Sequence, residues 1–169
     1  MRLISRGIVV VALAATLSSC GLGTLQTQTA GMEPVGNGVD TAVGDLKVQD
    51  VTLVTNGAGV VSLVASIVNP TLDADAVIGV QINGVDALLT PVNLTVAPRR
   101  SLQLGHQGVS YVDAPLELEA GTYANISILF ASAGQLDVSA LVVEATGSYA
   151  NVTPAPNLVF PTDSVLPVV

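Results

Sequence analysis

From Leu46 onward, Val, Ile, Leu and Thr recur in short runs, and each run is broken by Gly, Asn, Asp or Pro. No window carries an apolar stripe of helical period, so the chain has to bury its apolar residues from strands. Strands at this spacing predict an all-β fold, an immunoglobulin-like or cupredoxin-like β-sandwich of about seven to nine strands. The expected strands are 46–55, 60–69, 76–82, 92–96, 101–104, 124–131 and 135–143.

Several of these can be read residue by residue. Leu46 and Val48 share one phase, Val51 and Leu53 the other, and a bulge near Gln49-Asp50 would bring both pairs to one buried face. Asn56-Gly57-Ala58-Gly59 then predicts a hairpin into the next strand, because Asn and Gly accept positive φ. That strand is apolar on both phases, interrupted on one by Ser62 and Ser66. It is expected to be central and partly covered on its outer side. Asn69-Pro70 should end it, since proline brings no N–H to the ladder, and Asn83-Gly84 should turn the chain after Ile82. Thr122, Ala124, Ile126, Ile128 and Phe130 alternate with polar neighbours, and Ala133-Gly134 turns that strand into Leu136, Val138, Ala140 and Val142. This is the strongest hairpin in the chain.

The ends carry a different message. Arg2 and Arg6 precede a small, apolar run from Gly7 to Leu17. A run of that length is short for a membrane span, which wants about 20 apolar residues, and reads as a signal peptide over residues 1–19. Leu17-Ser18-Ser19-Cys20 resembles the bacterial lipobox, which implies a diacylglyceryl group on Cys20. Two acyl chains hold a protein on a bilayer firmly, at about 0.8 kcal/mol per buried methylene. The expected location is the outer face of the bacterial cytoplasmic membrane. Cys20 is the only cysteine, so no disulfide can form within the chain and the domain must be held by its core. Residues 20–38, rich in Gly, Thr and Gln, read as a tether. The sandwich is expected over 39–146. The extension 147–169, with prolines at 154, 156, 161 and 167, is either packed along the domain by Val159, Phe160 and Leu166 or free for a partner.

Beyond Cys20 the basic residues are Lys47, Arg99 and Arg100, against all thirteen Asp and Glu. Such a balance repels phosphate backbones and excludes nucleic acid as a partner. Attachment to the membrane must then come from the lipid. With three Tyr, two Phe and no Trp, rings for stacking are scarce. Carbohydrate recognition is disfavoured on that count, and a protein contact would rest on aliphatic surface.

Reactive chemistry is thinly supplied. His106, in the turn-like Gly-His-Gln-Gly, is the one imidazole. A serine nucleophile would depend on it as base, with Asp113, Glu117 or Glu119 to orient it. Asp73 and Asp75 alternate in one extended segment and could offer oxygens to calcium. Arg99 and Arg100 could grip a carboxylate or phosphate, or simply discourage edge-to-edge aggregation. There is no phosphate loop, dinucleotide fingerprint or zinc-protease helix, so no cofactor is expected.

The lipobox, Asn69-Pro70 after the second long run, and the segment from Pro115 to Val143, with Leu118, Gly121, Phe130, Ala133 and Gly134 at its key positions, look like the actinobacterial LpqE-type lipoproteins. More distantly the segment resembles the periplasmic copper chaperones of the PCu(A)C type. The resemblance covers most of residues 39–145 and implies a sandwich with a copper site built from Met and His on neighbouring loops. Here Met32 falls in the tether and His106 stands without a Met-x-Met or His-x-Met pair. The expectation is therefore a non-enzymatic, lipid-anchored accessory or binding module of the cell envelope, possessing an envelope protein partner. A copper-chaperone-like protein using His106 is the alternative, and an envelope hydrolase the weaker one.

Overall fold

A computed structural model describes residues 38–105 and 109–160. Cys20, Met32, His106 and Leu166 lie outside the described residues.

Eleven strands account for most of the described chain: β1 Val39–Val43, β2 Leu46–Thr55, β3 Val61–Asn69, β4 Asp75–Ile82, β5 Val85–Asp86, β6 Leu88–Thr90, β7 Leu94–Val96, β8 Arg100–Leu104, β9 Tyr111–Ala114, β10 Tyr123–Phe130 and β11 Gln135–Glu144. All seven strands expected from the apolar runs are present. The four others, β1, β5, β6 and β9, are short and carry too few apolar residues to announce themselves.

The main path of paired strands is β5-β4-β10-β11-β2-β3-β9-β6, with β1 added on β2, β7 on β4 and β8 on β3. β11 joins the two layers of the sandwich. It runs antiparallel to β10 through most of its length, from Tyr123↔Leu141 to Leu129↔Gln135. Its last residues then pair parallel with β2, Val142↔Leu53 to Glu144↔Thr55.

The aliphatic core lies between the layers. Leu53, Leu63 and Ile67 from β2 and β3 meet Ile82, Ile126 and Ile128 from β4 and β10, and all are fully buried. Each such side chain contributes about 1.5–3 kcal/mol relative to exposure, and with no disulfide available this burial is what holds the fold. The bulge in β2 sits where the phase change required it: the register with β3 shifts between Gln49 and Thr52, and Asp50 adopts φ 54°. As a result Leu46, Val48, Val51 and Leu53 all reach the same core. The Asn56–Gly59 connection, the stop at Asn69 and the Asn83-Gly84 turn occur as expected, the latter with φ 49° and 81°.

β3 is indeed central, between β2 and the pair β8 and β9. The cover on its outer face is the segment after β11. Ala145 N–H donates to the Thr55 carbonyl at 3.1 Å, a 3-10 turn follows at Gly147–Tyr149, and Val152 packs on Val54 and Val64. Of the expected anchors, Val159 is corrected, Phe160 is half-buried and Leu166 lies outside the described residues. Val152 and Ala155 are buried at 4% and 6% exposure, whereas Val159 is 77% exposed. The prolines permit an extended path, and the residue that reaches the sheet is fixed by where the 3-10 turn releases the chain.

Candidate functional site

The inner faces of β4, β10 and β11 are apolar, so strand alternation sends the remaining side chains of these strands outward. The outward row across the middle of the layer is fixed by register: Ser127 pairs with Gln81 on one side and Asp137 on the other. The adjacent row pairs Asn125 with Ser139. Gln81, Asn125, Ser127, Asp137 and Ser139 line a groove of about 380 Å³ on this face.

Gln81, Ser127 and Asp137 are held in place by hydrogen bonds. Gln81 Nε2 donates to Asp86 Oδ1 at 2.7 Å, and Gln135 Nε2 donates to both oxygens of Asp137, at 3.0 and 3.2 Å. Hydrogen bonds from Gln135 and from the Ser127 hydroxyl hold the Asp137 carboxyl below the ordinary carboxylate value. Asn83 fixes the backbone beside the groove, its Oδ1 accepting the Asn125 N–H at 2.9 Å while its own N–H donates to the Asn125 carbonyl at 2.8 Å. Tyr123, on the same face two residues from Asn125, is 69% exposed. None of these residues stands out as a motif. The available signal was that the outward phase of β10 and β11 sets amides, hydroxyls and a carboxylate between Tyr123, Leu129 and Leu141, without one Lys or Arg.

The residues singled out from sequence are distributed elsewhere. Asp73 and Asp75 do share one depression of about 370 Å³, together with Asp45 and Asn69. Both oxygens of Asp75 are already engaged, however: Oδ1 accepts the N–H groups of Ala76 and Ser132 at 2.7 and 2.9 Å, and Oδ2 accepts that of Ala133 at 2.9 Å. Asp75 thus pins the β10–β11 turn. Among the described residues no group of three or more His, Cys, Asp or Glu is placed to hold a metal.

Arg99 and Arg100 are exposed at the start of β8. Arg99 has φ 51°, and its N–H donates to the Thr71 carbonyl at 3.1 Å. Glu117 and Glu119 line a cleft of about 570 Å³ with Glu144, away from Asp113. Asp113 itself is fully buried. Its Oδ1 accepts the Ser62 hydroxyl at 2.5 Å and its Oδ2 accepts the Ala155 N–H at 2.9 Å. A hydroxyl and a carboxylate in contact could suggest a nucleophile, but this pair is sealed beneath the C-terminal segment and no substrate reaches it.

No protein-family model matches the chain, and a comparison with curated proteins returns no match. Solved structures do match in fold. The apo PCuAC domain from PmoF1 superposes with a TM-score of 0.56 at 22% identity, covering 63% of this chain and 99% of that one. The copper-bound PCuAC domain from PmoF2 gives 0.51 at 20% identity, covering 63% and 98%. The apo form of the PmoF2 domain gives 0.53 at 20% identity, covering 64% and 98%. The fold is therefore a β-sandwich of the cupredoxin-like kind found in PCuAC domains. At this level of identity the likeness extends to architecture and no further.

Proposed function

We propose that this chain is a lipid-anchored binding module of the bacterial cell envelope, tethered through Cys20 at the outer face of the cytoplasmic membrane. Its recognition surface is the outer face of β4, β10 and β11. The observation that carries the reading is the pair of rows Gln81–Ser127–Asp137 and Asn125–Ser139, whose side chains line one groove, with Gln81, Ser127 and Asp137 oriented by hydrogen bonds before any ligand arrives. Preorganised polar groups lose little entropy on binding. No covalent chemistry follows from this arrangement, because no imidazole, thiol or amine adjoins the groove among the described residues.

A photocrosslinker at Ser139 in intact membranes tests the surface. A discrete adduct there, missing when the crosslinker stands at Asn157, is the expected result, and equal labelling at both positions would overturn the reading. Anchoring has its own test: mass spectrometry of the N-terminal peptide from the membrane fraction should find a diacylglyceryl group on Cys20, and an unmodified Cys20 would argue against the anchor.

The fold likeness favours a second reading, a copper-binding protein using His106, since one of the matched structures is a copper-bound domain. An anaerobic Cu(I) and Cu(II) titration of the full chain against a competing chelator decides it. One-to-one binding weakened by His106→Ala supports the copper reading, and no binding above the chelator removes it.

A further inference from the structure

We propose that the outer face of β4, β10 and β11 binds a neutral glycan, laid across the rows Gln81–Ser127–Asp137 and Asn125–Ser139 with Tyr123 against the apolar side of a sugar ring. The proposal rests on the reading of this face as the recognition surface and names its ligand class.

Three features select that chemistry. The first is the mixture of groups. Amides and hydroxyls both donate and accept, and an ionised carboxylate accepts only. The groove offers two amides, two hydroxyls and one carboxylate within two cross-strand rows. Vicinal hydroxyls of a sugar present the matching alternation of donors and acceptors, whereas a peptide backbone would seek a free strand edge instead. Here β10 is paired on both sides, with β4 and β11.

The second feature is charge. Asp86 and Asp137 adjoin the groove, and the basic residues Lys47, Arg99 and Arg100 belong to β2 and the start of β8. A phosphorylated or carboxylated polymer would meet negative charge without a cation to pair it, so the face discriminates against anionic chains. Asp137, held ionised by Gln135 and Ser127, remains an acceptor for hydroxyls over the working pH range.

The third feature is shape and apolar contact. A volume of about 380 Å³ suits a small ligand, since such sites span roughly 300–1,000 Å³. The groove lies on an open sheet face, so a longer chain can enter and leave at its ends. Tyr123 flanks it at one end, 69% exposed, and its cross-strand neighbour is Leu141. A ring in this position has an apolar body to offer to C–H groups and a hydroxyl at its tip. The small number of aromatic residues in the chain is thus no obstacle, because one of them stands where a sugar-stacking ring is needed.

The test is saturation-transfer NMR on the full chain, solubilised in a detergent without a sugar headgroup. The probes are neutral tetrasaccharides of glucose, mannose, galactose and N-acetylglucosamine, with polygalacturonate as the anionic competitor. Transfer to at least one neutral saccharide is expected, with affinity lowered about tenfold or more in Tyr123→Ala and in Asn125→Ala, the factor for losing one well-made contact. Both variants should retain the wild-type circular dichroism spectrum. Absence of transfer across the whole panel, transfer unchanged in both variants, or preference for polygalacturonate would each overturn the proposal. A protein adduct at Ser139 with no saccharide signal would overturn the glycan and leave the recognition surface standing.

Discussion

Asp113 Oδ2 accepts the backbone N–H of Ala155 at 2.9 Å, tying β9 to a residue 42 positions further along the chain. The side chain is fully buried. Its other oxygen takes the Ser62 hydroxyl, and together these two bonds fasten the C-terminal segment over the outer face of β3. Burial raises the Asp113 pKa above its ordinary 3.8, outweighing the lowering effect of Ser62 and Ala155.

The pH dependence follows from that direction. Because the folded-state pKa is raised, the fold favours the protonated acid. This contribution is fully present below the unfolded value near 3.8 and is lost as pH rises through the folded value. Asp113→Asn should flatten this part of the stability profile and match or exceed the wild type at neutral pH. Asp113→Ala should cost about 1–3 kcal/mol, because the Ser62 hydroxyl and Ala155 N–H are left buried without an acceptor. Urea unfolding from pH 4 to pH 8 measures all three, and an Asn variant as pH-dependent as the wild type would contradict the argument.

Val152 fills the space over Val54 and Val64. Val152→Ala should destabilise by about 1–2 kcal/mol through lost burial and the cavity left behind. It should also speed protease cleavage after Ala145. Val159→Ser, at a 77% exposed position, should change stability by less than about 0.5 kcal/mol. Limited proteolysis and thermal melts of the two variants, side by side, check the contrast.

Asp75 holds three N–H groups, two of them in the β10–β11 turn. Asp75→Ala should cost about 3 kcal/mol or more, since bonds to a charged acceptor are worth roughly 1.5–3 kcal/mol each before compensation by water. Hydrogen exchange at Ser132 and Ala133 should accelerate most, and protection unchanged at those two amides would refute the role assigned to Asp75.

Gly105 has φ 73°, and a Cβ there would lie 2.8 Å from the Leu63 carbonyl oxygen and 2.9 Å from Val64 Cγ2. Both neighbours belong to the central strand and cannot withdraw. Gly105→Ala should therefore destabilise by more than about 1 kcal/mol, measurable as a lowered denaturation midpoint with an unchanged denaturant slope.

Seven of the eleven strands, the bulge at Asp50 and the hairpin turns at Asn56–Gly59, Asn83-Gly84 and Ala133-Gly134 were legible in the sequence. Each depends on interactions between near neighbours: the alternation of side chains across a strand, the tolerance of Gly and Asn for positive φ, and proline's missing donor. β6 and β9 were not legible, because strands as short as Leu88–Thr90 and Tyr111–Ala114 gain most of their stability from partners distant in the chain. The same holds for Asp113, offered by the sequence as a partner for His106 and buried only once β3 and the C-terminal segment close over it.

By itself the sequence determined that this protein is all-β, that its core is aliphatic and closed without disulfides, and that its surface is acidic. These are local or compositional properties. Only the tertiary structure decided which residues share a face. It drew Asp75 away from metal binding into a turn, sealed Ser62 with Asp113, and aligned Gln81 with Ser127 and Asp137. The reason is that cross-strand register is set by the packing of the opposite, buried face. A polar row on the outer side is therefore assembled by Ile82, Ile126, Ile128 and Leu136 beneath it, and no pattern within any one strand records it.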